Sequence, residues 1–152
     1  MIFDAYAVLA LLRDEPAASE VDRLLTGDGT AALTSLGLAE VVDRLVRLSG
    51  VTFEEAVLDL GQLGLADPSV LDPGTALTAG GLRSQHYHRR TRAVSMADCV
   101  AAATARAHAV ALATSDPHLL DMCRDEQIDV VPLPDSRGDR WSPDGPAALG
   151  SG

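Results

Sequence analysis

Apolar positions along the chain fall into two patterns, short continuous runs and stripes spaced three or four residues apart, which mark strands and helices respectively. Ile2 and Phe3 open a strand that ends at Asp4, and helices follow over Ala5–Arg13 and Ala17–Leu25. Gly27-Asp28-Gly29 reads as a turn before a second strand, Ala31–Thr34. Ser35 is placed to cap a helix whose stripe is Leu38, Val41, Val42, Leu45 and Leu48, stopped by Ser49-Gly50. Thr52 and Glu55 have capping-box spacing, for a helix reaching Leu63. Val70 and Leu71 suggest a short strand before a turn at Asp72-Pro73-Gly74, and a helix is expected over Thr75–His88. The stretch from Ser95 to Leu119 organises the rest: a helix over Met96–His108, a strand over Ala109–Thr114, then Asp116-Pro117 opening a helix to Glu126. Ile128–Leu133 is the last predicted strand.

Strands alternating with helices imply a three-layer α/β/α domain with a mainly parallel central sheet. No internal repeat or linker divides the chain, so one domain is expected over residues 1–133. From Pro134 the sequence is rich in Pro, Gly and Asp without periodicity, and residues 134–152 are expected to form a disordered tail, with Trp141 exposed in it. Gly27, Gly29 and Ala32 match a loose dinucleotide fingerprint, but they follow a helix and precede a strand, the reverse of what that motif needs.

Composition narrows the picture further. Hydrophobic residues make up 47% of the 152 and aromatics 3%, so the core must be built from Ala, Leu and Val. The formal net charge of -10 argues against broad nucleic-acid or membrane binding, while leaving room for a local basic patch or a cation among the acids. All 12 basic residues are Arg. Cys99 and Cys123 have neither zinc-site nor disulfide-framework spacing and read as free thiols of a reducing compartment. Asp4 interrupts the apolar N-terminal run and no basic segment precedes it, so the chain is expected to be soluble and cytoplasmic, with no membrane association.

In a parallel sheet, strand carboxyl ends and the starts of the following helices share one edge. Asp4, Glu40, Asp98 and Asp116 all stand at such places. Gathered together, they would repel one another unless protonated or joined by a cation. Oxygen ligands without Cys or His favour Mg²⁺ or Mn²⁺. A hard cation held by carboxylates at an open edge can bind a phosphate oxygen and activate water, which is the chemistry of phosphodiester hydrolysis. Each acid also has a purely structural role open to it: Asp4 and Asp116 as N-caps, Asp98 as the capping-box partner of Ser95, and Glu40 as the ion-pair partner of Arg44.

The segments IFDAYAVLALL, TSLGLAEVVDRL and SMADCVAAATARAHAVALATSD, with the final apolar strand, resemble in order and spacing a PIN domain, specifically a VapC-like toxin ribonuclease. The resemblance covers Met1 to Leu133. It implies that Asp4, Glu40, Asp98 and Asp116 are the catalytic, metal-binding quartet, supported by the hydroxyls of Thr114 and Ser115. It further implies Mg²⁺- or Mn²⁺-dependent endonucleolytic cleavage of RNA, a homodimer, and silencing by a cognate antitoxin protein. The chain departs from the family where Ala5-Tyr6 replaces a Thr or Ser soon after the first acid.

One basic cluster, Arg83, His86, Tyr87, His88, Arg89, Arg90 and Arg92, leads into the Asp98 helix. Arg83, Arg89, Arg90 and Arg92 could contact an RNA backbone and Tyr87 could stack on a base; the alternative is a solvated helix end. Three rival functions remain to be weighed. A haloacid-dehalogenase-like phosphatase wants a second Asp where Tyr6 stands, and a receiver domain wants a lysine the chain does not have. A catalytically silent PIN-like domain that only binds RNA or protein has no such sequence objection.

Overall fold

The first strand, β1 (Ile2–Phe3), pairs in parallel with β2 (Leu112–Thr114), which pairs in parallel with β3 (Val130–Pro132). The computed structural model describes residues 1–27 and 29–143. Asp28, in the expected turn, and residues 144–152 of the expected tail lie outside the described residues. Single parallel bridges extend the sheet beyond β1: Ile2 to Ala32, then Thr34 to Ser69. The expected strand at Ala31–Thr34 is therefore reduced to these bridges. The expected strand at Val70–Leu71 does not form; the pairing residue is Ser69, and Val70 points outward, 80% exposed.

Among the described residues, seven helices surround the sheet: α1 (Ala5–Leu12), α2 (Ala18–Thr26), α3 (Ser35–Ser49), α4 (Phe53–Gln62), α5 (Pro73–His86), α6 (Met96–Ala107) and α7 (Pro117–Asp125). Strand side chains alternate between faces. Phe3, Ala113 and Val131 join Val8, Leu9, Val41, Leu45 and Leu60 in a core on the side of α1–α4. Ile2, Leu112 and Val130 join Leu82, the buried face of α6, Leu119 and Met122 on the side of α5–α7. The result is the three-layer α/β/α arrangement with a parallel sheet that the alternation of elements predicts. Cys99 through Ala105 are buried along α6, and with only one valine among the small side chains there, neighbouring elements can approach this helix on several sides.

Several boundaries differ from those expected, each for a local reason. Thr34, not Ser35, caps α3, its side chain accepting from the Gly37 N–H. Asp72 accepts from the Gly74 and Thr75 N–H groups, so Asp72-Pro73-Gly74 starts α5 instead of forming a separate turn. α5 ends at His86, two residues early, where the chain turns into a bridge between His88 and Arg92. The strands after α6 and α7 begin late because leaving each helix consumes residues: Ala109 (φ 50°) and Gln127 (φ 55°) are left-handed, and the next N–H groups return to Ala105 and Cys123.

The C-terminal segment also departs from expectation as far as it is described. Beyond β3, residues 134–143 fold back on the domain: Pro134 bridges Arg140, the Arg140 guanidinium donates to the Pro132 carbonyl and pairs with Glu20, and Trp141 Nε1 donates to Asp121 at 3.1 Å. Trp141 is half-buried, with the Arg124 guanidinium 6.0 Å from its ring centre. Cys99 and Cys123 are buried free thiols, and burial pushes them up to about 11 and about 12. No helix among the described residues is long and apolar enough to cross a membrane.

Candidate active site

The parallel register explains why acids meet at one edge. Phe3 lies opposite Ala113, so the next residues, Asp4 and Thr114, come together at the carboxyl ends of β1 and β2. The Thr114 hydroxyl donates to Asp4 Oδ2 and accepts from the Asp116 N–H at 3.0 Å, tying the first acid to the loop carrying the last. Asp4 also caps α1, its Oδ1 accepting from the Ala7 N–H at 2.9 Å. Asp116 caps α7 by accepting from the His118 and Leu119 N–H groups. Asp98 sits in the first turn of α6, where its Oδ2 accepts from the Ser95 N–H at 2.7 Å in a complete capping box. Glu40 lies in the second turn of α3, paired with Arg44 at 2.8 Å.

Asp4, Glu40, Asp98 and Asp116 together line one cavity of about 220 Å³, with Ala5, Tyr6, Arg44 and Ser115. The structure thus brings the four sequence-predicted acids and Ser115 to one place, with Thr114 buried behind them. Tyr6 and Arg44 were not anticipated as lining residues. Their positions held the signal, one two residues after the first acid and the other one helical turn after Glu40. The structural roles read from the sequence are also realised, so all four acids are at once capping or pairing groups and cavity walls.

The electrostatics follow from burial. Asp4 is 8% exposed, and loss of solvent raises its carboxyl from 3.8 to about 7. The Thr114 and Ala7 hydrogen bonds oppose that rise, and the charges of Asp98 and Asp116 add to it. Burial likewise raises Asp116, helped by Asp98 and opposed by the N–H groups of His118 and Leu119. A cation in the cavity would relieve both. The donors are all oxygen, the kind that suits Mg²⁺ or Mn²⁺. Among the described residues, however, no three His, Cys, Asp or Glu side chains close on a common point. Several of the oxygens are instead occupied by cap N–H groups, by Thr114 and by Arg44.

The PIN domain family matches residues 1–125. The chain belongs to that family. In fold, this PIN domain is similar to VapBC2 from Rickettsia felis bound to a DNA fragment from its promoter, with TM-score 0.61, 18% identity, and coverage of 88% of this chain and 99% of the other. It is similar to FitAcB from Neisseria gonorrhoeae, with TM-score 0.61, 21% identity, and coverage of 85% and 94%. It is also similar to a toxin-antitoxin complex from Klebsiella pneumoniae, with TM-score 0.58, 16% identity, and coverage of 76% and 85%. Among curated proteins, none matches this sequence.

The basic segment lies apart from the acids, for none of Arg83, Tyr87, Arg89, Arg90 or Arg92 lines the cavity. Arg83 stacks over Tyr87, its guanidinium carbon 4.3 Å from the ring centre. Arg92 is engaged within the fold, pairing with Asp125 at 2.8 Å and donating to His86 Nδ1 at 2.8 Å, while His86 Nε2 meets Glu126 at 2.6 Å. Arg89 and Arg90 are exposed in the turn between the bridge residues His88 and Arg92.

Proposed function

We propose that this PIN domain is a metal-dependent endoribonuclease, the toxin of a toxin–antitoxin pair, hydrolysing RNA phosphodiester bonds. The observation that carries this reading is the convergence of four carboxylates, one from the start of α1 and the others from α3, α6 and the start of α7, on one polar cavity. Family membership and the fold likeness to chains of toxin-antitoxin complexes support it. Asp4, Glu40 and Asp98 would hold Mg²⁺ or Mn²⁺, with Asp116 holding a second ion or orienting the attacking water. When bound, the metal would offset the negative charge that builds on the scissile phosphate and lower the cost of deprotonating water. The chain's own groups prepare for this: Thr114 orients Asp4, and the cap N–H groups fix Asp4 and Asp116.

A protein partner, an antitoxin or a second copy, would find an apolar groove of about 540 Å³ between α3 and α4, lined by Leu38, Val42, Phe53 and Val57. Phe53 is 60% exposed at its edge. One observation favours the second reading, a catalytically silent PIN-like RNA- or protein-binding domain: the acids do not close on one point, and Glu40 is tied to Arg44. The deciding experiment is RNA cleavage with Mn²⁺ and with EDTA, beside Asp98→Asn. Metal-dependent cleavage lost in the variant supports the nuclease. RNA binding without cleavage, under any divalent ion, supports the silent domain instead.

A further inference from the structure

Four carboxylates line the acidic cavity, and among the described residues that line it Arg44 alone carries a positive charge. The remaining walls are Ala5, Tyr6 and Ser115. A phosphodiester brought to this edge is repelled by the carboxylates, and Arg89 and Arg90 lie off the cavity. Phosphate contact at the site therefore calls for a cationic donor in the cavity wall, and Arg44 is the side chain there that has one.

Arg44 stands one turn after Glu40 on α3, between Val41 and Leu45, which are both in the core. The helix fixes the base of the side chain, and the guanidinium end, on a side chain 45% exposed, is free to swing. Its partner in the fold is Glu40, reached through Nη2 at 2.8 Å. Arg47, the next arginine on α3, grips both oxygens of Asp43 through Nε and Nη2. Among the described residues no such fork joins Arg44 to Glu40, so the guanidinium keeps further N–H donors for another ligand. An ion pair this exposed contributes little to stability, whereas an arginine fork on a phosphate makes two parallel charge-assisted hydrogen bonds. Exchange of the first for the second leaves Glu40 uncompensated unless a cation takes it up, so the two events are linked.

We propose that Arg44 is the phosphate clamp of this site, with the Glu40 pair as its resting position: once Glu40 turns to a divalent cation, Arg44 is released and donates to a non-bridging oxygen of the RNA phosphate. The proposal rests on the nuclease reading. It sets the phosphate against a guanidinium and keeps it off the carboxylates.

Two measurements test it, on the wild type, on Arg44→Gln, and on Arg47→Gln as a control that removes a charge from the same helix away from the cavity. Without RNA, Mn²⁺ is titrated into each protein and the free ion is counted by electron paramagnetic resonance. Arg44→Gln is expected to bind Mn²⁺ about five-fold more tightly, the scale of one exposed ion pair no longer in competition, and Arg47→Gln to match the wild type. In cleavage assays at saturating Mn²⁺, Arg44→Gln is expected to lose about ten-fold or more in kcat/KM, the scale of one hydrogen bond to a charged group, and Arg47→Gln to lose nothing. Tighter metal binding joined to weaker cleavage is the signature, because a residue that only positioned Glu40 would lose both together. An unchanged kcat/KM in Arg44→Gln, or a Mn²⁺ affinity equal to or below that of the wild type, overturns the clamp and leaves the nuclease standing. Absence of cleavage by the wild type removes the nuclease reading and the clamp with it, while the Mn²⁺ comparison still reports whether Arg44 competes for Glu40.

Discussion

Removing the charge of Asp4 should stabilise the metal-free protein at neutral and alkaline pH, and the effect should vanish in acid. Asp4 has its carboxyl raised from 3.8 to about 7 by burial. Between those values the folded chain holds a proton that the unfolded chain has released, so stability falls as pH rises through this window and levels off above it. The stabilising contribution of the protonated acid is complete below pH 3.8 and is gone above about pH 7. A proton affinity raised by about three factors of ten, at about 1.4 kcal/mol each, comes to about 4 kcal/mol, of which about half falls between pH 5 and pH 7. That is a large share of the roughly 5–15 kcal/mol by which a domain is stable.

Asp4→Asn keeps an oxygen for the Ala7 N–H and removes the charge; its cost is the Thr114 hydrogen bond, about 1 kcal/mol. The assay is urea unfolding in EDTA at steps from pH 5 to pH 8.5 for both proteins. The wild type should lose more stability across the window than the variant, which still carries the raised Asp116, so that the difference between them changes by about 2–3 kcal/mol. Carboxyls held below their usual range by hydrogen bonds or ion pairs, such as Glu55 and Asp72, act in the opposite sense but only at lower pH, and both proteins carry them. Adding Mn²⁺ at pH 8 should restore the wild type and leave the variant nearly unmoved. Parallel pH profiles would refute the burial argument, and a Mn²⁺ response equal in both would refute the role of Asp4 in holding the ion.

Further outcomes follow from other parts of the fold. Arg89→Ala with Arg90→Ala should flatten the salt dependence of RNA binding, by a slope of about 0.7 for each phosphate no longer neutralised, with melting unchanged because both side chains are exposed; identical slopes would mean these arginines do not meet RNA. Arg92→Ala should instead lower stability by about 1 kcal/mol, since the side chain ties α7 to the end of α5 through Asp125 and His86; a urea midpoint equal to wild type would contradict that. Trp141→Ala should cost about 1–2 kcal/mol by urea unfolding, because it removes the Asp121 hydrogen bond and the ring beneath Arg124, and no loss would show that residues 134–143 do not brace the domain. Neither cysteine should react with a thiol reagent at pH 8 in the folded chain, given burial and thiols raised to about 11 and about 12; rapid labelling would indicate local opening of α6 or α7.

The layers and the acid-bearing edge were legible because they depend on local rules. Period-two alternation at Ile2-Phe3 and Leu112-Ala113 fixes which face each side chain takes, and parallel pairing fixes which strand ends coincide. The misses share a different cause, in that they depend on partners remote in sequence. Val70 and Leu71 have strand-like side chains, yet Ser69 pairs because its carbonyl meets the Ser35 N–H and its own N–H meets Leu33. Residues 134–143 lack periodicity, and their order comes from single contacts to Glu20, Asp121 and Tyr6, more than ten residues and in two cases more than a hundred away. Arg92 looks equivalent to Arg89 and Arg90 in sequence and is separated from them only by where Asp125 and His86 lie. Tyr6 departs from the family's pattern of a Thr or Ser after the first acid, yet it does supply a hydroxyl, directed to a carbonyl 128 residues later.

The capping and catalytic readings of the acids, which compete in the sequence, are compatible in the structure. A buried carboxylate surrounded by like charges is kept neutral unless something favours its ionised form. At Asp4 the Ala7 N–H and Thr114 do so, and at Asp116 the His118 and Leu119 N–H groups do, each lowering a pKa that burial raises. The N–H donors among these are the unsatisfied groups of a helix's first turn, where the backbone dipole also favours negative charge. Helix starts thus supply in one place both the geometry that gathers the acids and, at Asp4 and Asp116, donors that favour the ionised form. It follows that alanine is the wrong probe for this site, because it removes cap and charge together. Asparagine at Asp4, Asp98 or Asp116 retains an oxygen for the same N–H groups. A loss of cleavage in these variants with the fold intact therefore assigns the function to the charge alone.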